Sequence, residues 1–497
     1  MFALYKTPET TCTSFSSNST DNRITSTEKK FENIKNELSQ KIEFFLSSLE
    51  RKEYDQLERT IEVFIKVFRQ KKLEIYEIVS PYPMIPSLVA ASQIPQFTGI
   101  SFQCISELIT LQPEVYQQQI LQIPNFVDYL FNELNDEESL NRYSCALIII
   151  NITEAFQKNS QQFISYLNFN SLNDFVLEGY EYSKVCLRLM TKIVEFIEVS
   201  NNIIIEFIKI SKIIFDLYIQ SHREIIINIM EFYNKLIEIQ FLAVSPLLDL
   251  KMIDQIFNFI SIDDDNIIYN DQNYRTNKMC SNNLILYAIS YYLIVIDKGI
   301  NNKKYFGISQ QIIKEASIPE IISWIKYLDT EACKPGYHLL ALLLKYQEIF
   351  QIDVIDEINQ TCIVACAITS ITECRFKQKM KLLDFIIIYI EKSDGTFITN
   401  DQNYDMFFAL FDHLLSQSFD LNDLLEIINL FWDYLTKMSL KRKNEMHNIL
   451  AVAMKKYTFI DCLNQMVLDE EYKKDDIIIG KITCILKLFP SENEDNQ

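Results

Sequence analysis

The sequence predicts an all-helical protein, a solenoid of stacked helical repeats, and three observations carry that prediction. Glycine is scarce, apolar residues recur at helical spacing along most of the chain, and one short motif returns at intervals near 39 residues. Glycine occurs 7 times in 497 residues, where ordinary usage would supply about 35. Hairpin turns, β-bulges and phosphate-cradling loops all draw on glycine's freedom at positive φ, so composition speaks against hairpin-rich β folds and nucleotide-binding α/β folds.

The periodicity is that of amphipathic helices. In 203–219, IIIEFIKISKIIFDLYI, the charges Glu206, Lys209, Lys212 and Asp216 recur every three or four residues among isoleucines, which puts them on one face of a 3.6-residue helix. Isoleucine is an indifferent helix former, but its spacing outranks its propensity here. Hydrophobic residues make up 48% of the chain and charged residues 23%, enough apolar matter for a large core. The most apolar run, Leu284 to Ile296, ends at Asp297; it is shorter than the roughly 20 residues a membrane span needs and reads as a buried core helix.

The recurring motif begins at Ile85-Pro86, returns at Ile123-Pro124, 38 residues on, and again at Ile318-Pro319, 195 residues beyond that, or five steps of 39. Proline suits a helix's first turn, where its missing N–H had no partner to lose. Degenerate copies start at Leu172, Ile210 and Ile253, and weaker ones near Thr361, Tyr404 and Phe459. The expected organisation is a Ser/Thr-rich disordered tail over 1–27, a helical array over 28–489 and an acidic tail over 490–497. Repeats are clearest over 85–260, and the polar stretch 262–278 is expected to be a loop insertion. A period near 40 with two or three helices per unit is that of armadillo and HEAT repeats, whose units cover one another's apolar faces. The expectation is a right-handed α-solenoid of about 9–10 such units.

Within this array Ile123 to Phe156, IPNFVDYLFNELNDEESLNRYSCALIIINITEAF, has an Ile-Pro start, an acidic turn at Asp136-Glu137-Glu138, and a following helix carrying Ala146, Leu147, Asn151 and Ile152. In that order of parts it resembles one armadillo repeat, most like those of the importin-α family of nuclear import adaptors. The resemblance implies that the third helix of each repeat lines a concave groove, where asparagines clamp the backbone of an extended basic peptide and tryptophans pack its lysine stems. It makes Asn151, and Asn234 in MEFYNKLIEI, the candidate peptide-binding residues. The chain departs from the family at the tryptophan positions, which hold Leu147 and Met230, and in the first thirty residues, where the only cations are Lys6, Arg23, Lys29 and Lys30.

The formal charge is −20, which repels phosphate backbones and anionic membranes and attracts cationic segments. The expected partner is therefore a protein or an extended, basic peptide; nucleic acid and membrane insertion are not expected. Eleven scattered cysteines do not form a disulfide framework, and MFALYKTPETTCTSF lacks the basic-then-apolar pattern of a secretory signal, so a cytoplasmic or nuclear location is expected. The histidines, His222, His338, His413 and His447, lie far apart. Cys362 and Cys366 share a helix face, but in TCIVACAITSI they read as small core hydrophobes. No catalytic residue, cofactor or metal is expected. The alternative to a peptide groove is a scaffold or regulatory subunit that holds a folded partner through ridges and loops.

Overall fold

The computed structural model describes residues 20–219, 221–241, 247, 251–261, 271–328, 332–373, 376–395, 399–400, 403–417, 420–469, 472 and 475–489. Of the expected features, residues 1–19 of the tail, 262–270 of the insertion and the acidic tail 490–497 lie outside these. Among the described residues the regular structure is helical, with no strand. The chain divides into two compact units, 1–210 and 211–497.

The first unit contains α1 (Thr20–Arg51), α2 (Leu57–Phe68), α3 (Leu73–Val79), α4 (Met84–Ser92), α5 (Thr98–Ile109), α6 (Pro113–Leu121), α7 (Phe126–Asn135), α8 (Arg142–Ile152), α9 (Ser160–Ser165), α10 (Phe169–Leu177) and α11 (Tyr180–Phe196). The division falls inside α12 (Asn201–Tyr218). The second unit continues with α13 (Arg223–Ile239), α14 (Met252–Ser261), α15 (Asp271–Asn301), α16 (Phe306–Glu315), α17 (Ile318–Tyr327), α18 (Lys334–Phe350) and α19 (Ile355–Asn359). It closes with α20 (Ile363–Glu373), α21 (Phe376–Lys392), α22 (Tyr404–Leu415), α23 (Leu421–Lys441), α24 (Met446–Lys456), α25 (Phe459–Leu468) and α26 (Asp476–Leu486).

The spaced motifs mark helix starts. Those at 85, 123, 172, 253, 318, 361, 404 and 459 fall within a few residues of the first residue of α4, α7, α10, α14, α17, α20, α22 and α25. Each of these helices is followed by another helix, and several of the following helices pack on one another. In the first unit α5 packs on α8 and α8 on α11; in the second, α13 packs on α15, α15 on α18, α18 on α21, α21 on α23 and α23 on α26. The motif at Ile210 differs, lying inside α12 because the amphipathic pattern there runs unbroken from Asn201. Pro319 occupies the first turn of α17. Pro124 instead precedes α7, whose N-cap Asn125 takes a left-handed φ of 60°.

Two boundaries depart from expectation. α1 begins at Thr20, inside the stretch read as a disordered tail, and α15 begins at Asp271, inside the stretch read as a loop insertion. In both, a polar composition masked helical propensity: the first stretch holds Arg23 and the second Gln272, Arg275 and Lys278, all good helix formers. The apolar run at Leu284 is the middle of α15, where Leu284, Ile285, Ala288, Ile289, Tyr291, Tyr292, Val295 and Ile296 are buried. Asn282–Asn301 is the one described stretch long and apolar enough to span a membrane, and half of it is buried in the protein.

Local chemistry places the helix ends. Asn168, Asp420 and Asp475 turn their side-chain oxygens onto the first free N–H groups of α10, α23 and α26, satisfying donors that have no partner within the helix. Two glycines sit where helices touch. A Cβ at Gly336 of α18 would stand 2.4 Å from Ile325 Cγ1 of α17, and one at Gly299 of α15 would stand 2.4 Å from Ser309 Cβ of α16.

The core of the first unit encloses a charge. Arg142, 2% exposed, donates from Nε to the Leu134 carbonyl at 3.0 Å and from Nη2 to the Ser171 carbonyl at 2.6 Å, pairs through Nη1 with Glu178, and lies 5.2 Å from the centre of the Phe175 ring. It thereby joins α8 to the end of α7 and to α10. In the core of the second unit, the ring of Phe431 of α23 lies 4.3 Å from that of Phe411, 5.3 Å from Phe459, 6.4 Å from Phe408 and 6.5 Å from Phe489, centre to centre.

Candidate protein-binding faces

On α8 the side chains not turned into the core include Tyr143, Leu147 and Asn151, all half-buried and spaced by four. Asn151 does not project freely from this stripe. Its Nδ2 donates to the carbonyl and the hydroxyl of Ser106 on α5, both at 3.2 Å, and its own carbonyl accepts from Gln117 Nε2 of α6 at 2.6 Å. It stitches α8 to α5 and α6.

Asn234 sits deeper. It is 8% exposed, and its Nδ2 donates to the carbonyl of Tyr287 on α15 at 2.8 Å. Its Oδ1 is buried and accepts no hydrogen bond among the described residues. Met230, four residues earlier, is fully buried. One residue along a helix is a turn of about 100°, and the exposed stripe of α13 runs one position away, through Glu224, Glu231 and Glu238 with half-buried Asn228 and Lys235. Lys235 pairs with Glu238 at 3.4 Å. A ligand meeting α13 therefore meets carboxylates, while the amide of Asn234 is occupied inside. Burial first, and then the charge of Glu231, raise the pKa of Tyr287 above the usual phenol value.

A second acidic face crosses from α21 to α23. Glu426 holds its proton more firmly than an ordinary glutamate, because of burial first and then the charges of Asp384, Asp423 and Asp420. Asp423 is raised by burial and by Asp420, which caps the helix. Asp433 is raised by burial; Glu391 adds to the effect, and Lys481 and Lys437 oppose it. Half-buried Trp432 lies beside Asp433. The sequence reading missed this face. The trace it left was acid spacing at 384 and 391 and at 423, 426 and 433, each of which by itself is only a solvated helix side.

Between the ends of α18 and α21 and the short α19 lies an open cleft of 820 Å³, with Glu348, Asp353, Asp356 and Asp394 on its walls and Lys392 among them. Lys392 pairs with Glu348 at 3.6 Å. The lining offers carboxylate and amide oxygens together with the apolar side chains of Ile352 and Ile355.

The remaining singled-out residues fall elsewhere. His222 is exposed beside Ser221, and His338 and His447 are exposed. His413 accepts at Nε2 from Lys379 and Gln417, both at 2.8 Å; Lys379 is 4% exposed. Burial, then the Lys379 charge, lower the His413 pKa, against a smaller opposing pull from Asp412. The folded state thus favours the neutral imidazole, and the stability this contributes is present above the unfolded value near 6.5 and is lost as pH falls through the lowered folded value. Urea midpoints at pH 7.5 and 5.5 are expected to differ less in His413→Gln, whose amide oxygen can still accept from Lys379, than in the unmodified chain. An equal pH response in both would remove His413 from the account.

No family model matches the chain, and no curated protein matches it. Among solved structures, a crystal structure of an engineered protein from the Northeast Structural Genomics Consortium aligns over 90% of this chain and 98% of that one, with a TM-score of 0.57 and 11% sequence identity. At that identity the likeness is one of helical fold.

Proposed function

We propose that the chain is a non-catalytic binding protein, with helical repeats stacked in armadillo or HEAT fashion, that holds a basic extended segment of a partner protein in the cytoplasm or nucleus. One observation carries the reading: outward faces of its long helices carry carboxylates, and on α21 and α23 burial first, and then the charges of neighbouring acids, raise the pKa of Asp423, Glu426 and Asp433. Beyond the lysines already beside Asp433, a lysine- or arginine-rich segment supplies further cations to such a face. The armadillo-like order of Ile123 to Phe156 supports the same reading and suggests a divergent importin-α-like adaptor. With Leu147 and Met230 in place of the family's tryptophans, recognition would rest on charge more than on aromatic packing.

The test is fluorescence anisotropy with a labelled lysine-rich nuclear-localisation peptide and a neutral peptide of equal length. The basic peptide is expected to bind at low salt and to weaken as salt screens exposed charges over about 10 Å. The variants Glu224→Gln with Glu231→Gln, and Asp423→Asn with Glu426→Gln, are each expected to weaken it about tenfold, a loss of ~1.4 kcal/mol. Asn151→Ala tests the half-buried amide of α8. Asn234→Ala, at a buried position, is expected to lower stability and leave the affinity unchanged. Failure of the basic peptide to bind at low salt would overturn the peptide reading. A single stoichiometric folded partner in an affinity pull-down would then favour the scaffold alternative.

A further inference from the structure

Cys362 stands immediately before α20, and its carbonyl already accepts the first helical hydrogen bond, from the Cys366 N–H at 3.0 Å. Its side chain therefore lies at the positive end of an eleven-residue helix, where a thiolate is stabilised. The two sulfurs are 3.9 Å apart, with Cys362 exposed and Cys366 half-buried. The ammonium of Lys326, exposed near the end of α17, comes close enough to the Cys362 sulfur to lower its pKa. From α18, buried Tyr337 comes within electrostatic reach of both cysteines. Among the described cysteines, Cys104, Cys145, Cys186 and Cys333 are buried, Cys462 is half-buried and Cys484 is exposed.

We propose that Cys362 and Cys366 form an oxidisable dithiol, Cys362 attacking and Cys366 resolving, which closes to a disulfide at the start of α20 when it meets hydrogen peroxide. Lys326 first and then the Cys366 thiol lower the pKa of Cys362, while burial and the neighbouring sulfur raise that of Cys366. The Cys362 thiolate attacks one peroxide oxygen, the O–O bond breaks and hydroxide leaves; with a proton this gives sulfenic acid and water. The Cys366 sulfur then attacks the sulfenic sulfur, the S–O bond breaks, and the Cys366 proton leaves with the hydroxyl as a second water. Peroxide is reduced by two electrons and the two thiols are oxidised by two. Residues one helical turn apart have Cα atoms about 6 Å apart, within disulfide range. Cys362 lies outside the helix proper, so the sulfurs can close to about 2.05 Å without unwinding α20.

The test uses the full chain. After peroxide treatment, blocking of free thiols and non-reducing digestion, mass spectrometry is expected to find the peptide spanning 362 and 366 two hydrogens lighter and unblocked. In Cys366→Ser, a dimedone adduct on Cys362 is expected instead. Iodoacetamide should alkylate Cys362 faster at pH 7 than exposed Cys484, with its inflection at lower pH. Lys326→Met should slow that reaction about 3–10-fold, and Lys326→Arg should restore it. A linkage from Cys362 to Cys374, no linkage at all, or a Cys362 rate and pH profile equal to those of Cys484 would each overturn the proposal.

Discussion

Replacing Arg142 with alanine is expected to lower the stability of the first unit by about 3–5 kcal/mol, the usual effect of removing one partner of a buried ion pair. Three losses coincide. The carbonyls of Leu134 and Ser171 lose their charged donor inside the protein, each at a cost of roughly 1–3 kcal/mol if nothing replaces it. Glu178, with 31% of its side chain exposed, loses the guanidinium beside it. The space beside Phe175 empties. Arg142→Met is the informative contrast: it fills much of the volume and is expected to destabilise less, because an apolar replacement of similar size avoids the cavity. Hydrogen exchange is expected to accelerate over α7, α8 and α10, and urea unfolding followed by circular dichroism should show the loss. A change below about 1 kcal/mol in Arg142→Ala would mean that the arginine only balances its own desolvation.

Phe431→Ala is expected to cost the second unit a similar amount, about 3–5 kcal/mol, as for other buried phenylalanines cut to alanine. Phe431 is fully buried, and so are Phe408, Phe411 and Phe459 around it. The cavity would open between α22, α23 and α25 at once, so no single helix can move in to fill it. Phe431→Leu retains most of the volume and is expected to cost less, though it loses the ring-on-ring contacts worth roughly 0.5–1.5 kcal/mol each. The two tryptophans, Trp324 and Trp432, both belong to the second unit. Tryptophan fluorescence should therefore report the Phe431 variants directly, and a Phe431→Ala protein whose fluorescence transition is unshifted would contradict the packing described.

The acidic faces and the internal asparagines show where a sequence can be read and where it cannot. That residues 223–239 form an amphipathic helix follows from spacing within the segment itself, because helical hydrogen bonds and side-chain neighbours span only three or four residues. Which polar residue on that helix is free does not follow. Asn234 is drawn inward by the carbonyl of Tyr287, a residue on another helix, and this leaves Glu231 and Lys235 outside. The resemblance to an armadillo repeat pointed to Asn234, whose amide the fold turns inward, one residue of rotation from the exposed stripe.

By itself, then, the sequence determined the helical class, most of the helix starts at the recurring motif, and the buried nature of Leu284 to Ile296, all of them consequences of local periodicity and of scarce glycine. Only the tertiary structure decided that Asn151 and Asn234 bind neighbouring helices, that α15 takes in Asp271 to Lys278, and that Asp384 comes within electrostatic reach of Glu426. The physical reason is range. Backbone propensity acts over one turn, whereas the orientation of a polar side chain and the pKa of a carboxylate depend on what another segment brings beside it.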